Sequence, residues 1–198
     1  MARTVLNPAL RLLKGRIGNY VFRCQPDGSI TVSKASLLRP DRKLSPSQSA
    51  QVERFKQAML RYRSILQDPA TRAAYERLYV ARGSHGRLHA LVVGDIMRPP
   101  LVTTLDLSDY RGLFGDTILV KAEDSLAVAS LSLVVRDLTA ACDVETDQVV
   151  YTPQCLASVV EWHYRSRVAV PPAHTVEVRV TAFDLAGNRH QVSHTLKT

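Results

Sequence analysis

The run VEVRVTAFDLAGNRHQVSHTL, residues 176–196, places Asp184 and Asn188 on either side of a tight turn. Glu123 and Asp124 stand side by side just beyond a second strand-like run, at an expected end of the β half. Carboxylate and amide oxygens at strand ends are ligands that calcium takes. A calcium loop packs its Asp and Asn densely, whereas these are scattered along the chain. Bonds from Asp and Asn to their own backbone account for them. His85 and His89 lie four residues apart where a helix is expected to begin, a spacing that can put two imidazoles on one metal. The stretch HGRLH lacks the glutamate of a zinc protease helix, and no third ligand lies near it in sequence, so surface or capping roles are expected. His190 and His194 are too far apart along a strand to share a metal and read as cross-strand partners. Neither the G-x-x-x-x-G-K-[ST] nor the G-x-G-x-x-G phosphate loop occurs, and neither does a nucleophile elbow. Cys24 has no base placed beside it. The sequence therefore predicts no catalytic residue, no metal site and no cofactor.

Its strongest chemical signal is positive charge. Arg54, Lys56, Arg61, Arg63, Arg72 and Arg77 are spread along a helical stretch, with Arg82 and Arg87 beyond them, and Tyr62, Tyr75 and Tyr79 are interleaved. Arginines and aromatics on a compact helical unit can bind nucleic acid. The tyrosines, however, fall on the expected apolar stripes, where core packing explains them. Arg54 and Arg61 share one helix face and Lys56 and Arg63 another, as on a solvated helix. The six basic residues from Arg54 to Arg77 are the candidate contacts, either to a partner protein or to nucleic acid. The net charge of +8 hides an asymmetry. Residues 1–98 hold 18 Lys and Arg against 6 Asp and Glu, whereas residues 99–198 hold 8 against 12. Halves of opposite sign suggest modules with different partners, or modules that attract one another between subunits.

These residues need elements to position them. RIGNYVFRC and SITVSK read as β-runs around Gln25, Pro26, Asp27 and Gly28, where Pro fixes φ and Gly accepts positive φ. Ser45, Pro46, Ser47 and Gln48 form a capping box with Pro at the first helical position. Behind it Val52, Phe55, Met59, Tyr62 and Leu66 recur at helical spacing and predict one buried stripe. Asp68 and Pro69 stop that helix and cap the next, which carries Ala74, Tyr75, Leu78 and Tyr79 on one face and ends at Gly83. Ser84 can cap a third helix that buries Leu88, Leu91, Val92 and Ile96. Pro99 and Pro100 end the helical section and mark the expected domain boundary.

Beyond them LVTTL, DTILVKA, AVASLSLVVR, QVVY, SVVEWHYR, TVEVRVTAF and RHQVSHTL make about seven strands at the spacing of a sandwich. Alternation puts Leu131, Leu133 and Val135 on one face. It does the same for Val160, Trp162 and Tyr164, and for Val176, Val178, Val180 and Ala182. The expected fold is α+β in two domains: a basic hairpin-plus-three-helix module, 1–98, and an all-β sandwich, 99–198.

Two stretches of the β half resemble bacterial immunoglobulin-like domains. VRVTAFDLAGN, residues 178–188, is similar to their V-x-V-x-A-x-D-x-A-G-N ending, with Asp184, Gly187 and Asn188 on the turn. GDTILVKAEDSLAVASLSLVV is similar to their early strands, with Leu126 where Gly is common. The resemblance covers about the last 100 residues and implies an immunoglobulin-like fold. It implies no activity, because such sandwiches serve adhesion, spacing and assembly alike. GRIGNYVFR with QVERFKQAMLRYRSILQDPATRAAYERL is similar to short uncharacterised bacterial proteins, some in a phage-like setting, and hints at a particle or assembly component.

Three cysteines, an odd and sparse count, fit a reducing compartment and read as small buried hydrophobes, although Cys142 and Cys155 could pair. No apolar run approaches the roughly 18 residues of a membrane span. The first 20 residues have neither an apolar core nor a small-residue cleavage site, so no secretory signal is expected. Arg3, Arg11, Lys14 and Arg16 give them a basic arm instead. The expected setting is the cytoplasm, or a particle assembled there. The expected role is a non-enzymatic structural or adaptor protein that is homo- or hetero-oligomeric. The alternative is nucleic-acid binding through residues 1–98.

Overall fold

The computed structural model describes residues 14–25, 29–35, 43–83 and 86–198. The turn residues Pro26, Asp27 and Gly28, the candidate cap Ser84, His85, Arg3 and Arg11 lie outside the described residues. The chain divides into two compact units, residues 1–45 and 46–198. The expected boundary at Pro99 thus lies inside the second unit, which holds the helices together with the large sheet.

In the first unit a three-stranded antiparallel sheet runs β1 (Gly15–Ile17), β2 (Tyr20–Cys24) and β3 (Ile30–Lys34), in that order. The run RIGNYVFRC is therefore two strands. Gly18, at φ 57°, takes the left-handed conformation that glycine adopts without steric cost, and the chain reverses there.

The second unit begins with α1 (Pro46–Ile65), α2 (Pro69–Ala81) and α3 (Leu88–Ile96). Pro46 opens α1, as the capping box requires. Asp68 caps α2 by accepting the Thr71 amide at 2.9 Å. α2 buries Ala74 and Tyr75, and α3 buries Val92, Val93 and Asp95. α1 departs from expectation. Ala58 is its single buried residue, and Val52 and Phe55 at the head of the expected stripe are exposed. The apolar period is present, but only its second half, from Met59 onward, is even partly covered.

Six strands follow: β4 (Leu101–Asp106), β5 (Thr117–Asp137), β6 (Cys142–Val150), β7 (Ala157–Arg165), β8 (Thr175–Asp184) and β9 (Arg189–Lys197). They form one antiparallel, curled sheet in which β5 is central. The first half of β5 pairs with β4 and β7, and the second half with β6 and β8; β9 lies beyond β8 as an edge. DTILVKA and AVASLSLVVR are thus one strand of 21 residues, not two. The register breaks between Glu123 and Val128 against β7, where β5 exchanges one set of neighbours for the other.

The alternation read from sequence sets the core. Leu131 pairs with Ala182, Leu133 with Val180 and Val135 with Val178, all fully buried. Ile118, Val120, Val160 and Tyr164 join the same cluster. A second cluster holds the helices to the sheet: Tyr75 and Val92 pack with Leu126 and Ala127, where β5 changes partners. Cys24, Cys142 and Cys155 are free and exposed, so they neither pair nor fill the core as expected.

Candidate functional site: an acidic cluster between helix and sheet

Three local structures meet beside the second cluster. The first is the break in β5. Amides that leave the ladder there need other acceptors. Asp124 Oδ1 takes two of them, from Leu126 at 2.7 Å and Ala127 at 2.9 Å. The second is the β8–β9 turn. Gly187 sits at φ 78°, Asp184 Oδ1 accepts the Asn188 amide at 2.7 Å, and Asp184 Oδ2 accepts the Asn188 side-chain amide at 2.7 Å. The third is the last turn of α3. Asn188 Nδ2 also reaches the Asp95 and Ile96 carbonyls, at 3.1 and 3.2 Å. A helix leaves its last carbonyls without partners, and here a side chain from the hairpin takes two of them. Asn188 Oδ1 accepts from Arg61 Nη1 of α1 at 3.1 Å, and Arg61 Nη2 donates to the Ala186 carbonyl at 2.5 Å. The Asp-x-Ala-Gly-Asn turn is the point at which two helices fasten to the sheet.

The same convergence gathers Asp95, Asp124 and Asp184. One oxygen from each lies within 4.8 Å of the others. Their relative exposures are 2%, 8% and 4%. Asp95 Oδ2 accepts the buried Tyr75 hydroxyl at 2.5 Å. Asp95 Oδ1 and Asp124 Oδ2 are buried with no hydrogen-bond partner. Burial pushes the Asp95 carboxyl up to about 7 against the pull of the Tyr75 hydroxyl, and the neighbouring Asp184 and Asp124 charges push the same way. Burial likewise raises Asp184 to about 6, opposed by its bonds to Asn188. A carboxylate that loses water without gaining a counter-charge holds its proton more tightly.

The sequence singled out Asp124, Asp184 and Asn188 but treated them as scattered, and the fold brings them together. Asp95 escaped notice because an apolar stripe draws attention to its apolar members. The signal was nevertheless present: Leu88, Leu91, Val92 and Asp95 share one face at helical spacing, and an acid on a buried face needs a partner.

The basic residues disperse. Arg61 serves the hairpin, and Arg54 Nη2 donates to the Met97 carbonyl at 3.4 Å. Lys56 pairs with Glu53 at 3.6 Å, and Arg72 with Glu76 at 2.8 Å, each on its own helix surface. Arg63 lines a shallow groove with Phe55, Lys56, Met59 and Leu60, and Arg77 lies on the exposed side of α2. His89 packs edge-on against Tyr62, with ring centroids 4.9 Å apart, and its Nε2 lies 3.0 Å from Met59 Sδ. His190 Nδ1 accepts the Val102 amide at 3.1 Å, which ties the β9 edge to the start of β4 and places the neutral ring's proton on Nε2. No helix among the described residues is long and apolar enough to cross a membrane.

Compared with protein-family models and with curated proteins, the chain matches none.

Proposed function

We propose that the protein is a non-enzymatic structural component of an assembly built from copies of itself. In this reading the sheet is an immunoglobulin-like sandwich that serves as a packing surface, and α1 docks on the neighbouring copy. The observation that carries it is the uncovered face of α1. Val52, Phe55 and Leu60 are 42%, 47% and 61% exposed on a helix of 20 residues. Phe55, Met59 and Leu60 line a groove bordered by Lys56 and Arg63. Apolar surface rimmed by charge of one sign fits a protein partner of the opposite sign. Residues 99–198 of a second copy have that sign, with 12 acids against 8 bases. Apart from the His190 bond to β4, the outer edge of β9 pairs with no strand among the described residues and offers a further contact.

The test is sedimentation of the full chain over a range of concentration and salt, wild type beside F55S/L60S. The wild type should self-associate, less so as salt screens the charge contact. The double variant should remain monomeric at every concentration with unchanged far-UV circular dichroism. A wild type that is monomeric throughout refutes the reading. Retardation of duplex DNA with a steep salt dependence would instead favour nucleic-acid binding through the basic helices.

A further inference from the structure

We propose that Asp95, Asp124 and Asp184 bind calcium, a hard divalent cation, held where the end of α3 meets the break in β5 and the β8–β9 turn. Two independent observations carry this. One is the gathering of three carboxylates from three separate elements, with an oxygen of each within 4.8 Å of the others. The other is that no donor reaches Asp95 Oδ1 or Asp124 Oδ2, although both side chains are more than nine-tenths buried and the two carboxyls adjoin each other. Buried polar atoms in folded proteins are satisfied almost without exception, so an orphaned pair within one acidic cluster marks a ligand's place.

The remaining oxygens show how the site is held. The Tyr75 hydroxyl fixes Asp95 Oδ2, the Leu126 and Ala127 amides fix Asp124 Oδ1, and Asn188 fixes both oxygens of Asp184. Each carboxylate is anchored by groups outside the cluster, as supporting contacts orient ligands in metal sites. The donor set is all oxygen, with neither thiolate nor imidazole among the three, which selects calcium or magnesium over zinc or copper. Oxygens no more than 4.8 Å apart can share one ion at calcium's metal–oxygen distances of about 2.3 to 2.6 Å. Magnesium demands a near-octahedral shell and is usually held by only one or two carboxylates, so three from separate elements favour calcium. Water completes the shell. The negative end of the α3 dipole lies in the turn that carries Asp95 and favours a cation there. Among the described residues Arg61 is the basic side chain bonded into the turn, and it is engaged by Asn188 and the Ala186 carbonyl.

The experiment is calorimetric titration of calcium chloride into the EDTA-stripped full chain, with thermal midpoints recorded alongside. One site per chain is expected, with a midpoint that rises with calcium. D95N and D184N should lose both the heat and the rise. D95N removes a buried charge while keeping its shape, so without calcium its midpoint should match or exceed that of the wild type, which shows that it folds. D106N, at an exposed acid outside the cluster, should bind as the wild type does. Absence of heat and of a midpoint shift at about millimolar calcium, the weak end of calcium sites, overturns the proposal: the cluster then holds only protons. Wild-type binding retained in D95N also overturns it, by placing the ion elsewhere. A response to magnesium but not to calcium overturns the assignment to calcium.

Discussion

Asp137 shows how one carboxylate can hold several pieces of chain. It ends β5, accepts the Thr139 and Ala140 amides at 2.8 and 3.0 Å, and lies 2.6 Å from His174 Nδ1. These bonds, the one to His174 foremost, hold its carboxyl below the usual range despite burial. A group whose folded value is depressed stabilises the fold fully above its unfolded value, near 3.8, and loses that contribution as pH falls through the folded value. D137N removes the charge and keeps the oxygen that caps the two amides. The variant should therefore be less stable than the wild type at neutral pH. The gap should close as pH falls past the unfolded value near 3.8 and through the depressed folded value, where the wild-type carboxyl itself becomes neutral. Denaturant titrations of both proteins across that range measure the gap. A gap that stays constant with pH would mean that the charge contributes nothing.

At the scale of elements, periodicity was most legible where both faces of the pattern had somewhere to go. The alternation of β8 and of the second half of β5 predicted the core residue by residue, because a pleated strand with one buried face allows a single register. Leu133→Ala should thus cost about 2 to 5 kcal/mol, the loss of a fully buried branched side chain and the cavity it leaves. Phe55→Ala, on a stripe just as regular, should change stability by less than about 0.5 kcal/mol, because an exposed side chain has little packing to lose. Chemical unfolding of the two variants separates a period that is buried from one that is only present. Local pattern carries no information about the length of a neighbouring element. It could not show that β5 runs on through Glu123, Asp124 and Ser125, where the reading expected a break between strands. Nor could it show that three acids far apart in sequence meet, since that depends on where α3 docks. The tight turn at Asp184 to Asn188 was legible from Gly187; its grip on α1 and α3 was not, because Arg61 and Asn188 are 127 residues apart.

For the whole molecule, the composition shift at Pro99 and the compact units at Ser45–Pro46 give different expectations for a truncated chain. Charge balance reports on the surface, whereas cooperative folding follows shared buried area. Tyr75 and Val92 from the helices pack with Leu126 and Ala127 from β5, with Leu156 and Leu185 against the same cluster. Cutting at Pro99 strips these sheet residues of their cover. It also removes Asn188's acceptors at the end of α3 and the Arg61 that Asn188 holds. Asp124 and Asp184 would then face water, which relieves their burial but leaves Leu126 and Ala127 in the open. A fragment of residues 46–198 should therefore unfold in one cooperative transition near that of the full chain. A fragment of residues 99–198 should melt at a clearly lower temperature or bind a hydrophobic dye before it melts, although the β5–β8 core is intact within it. Differential scanning calorimetry of the three chains decides the matter. Equal midpoints for the two fragments would show that the second cluster adds no stability to the sheet, and that the helices are a module that rests on it.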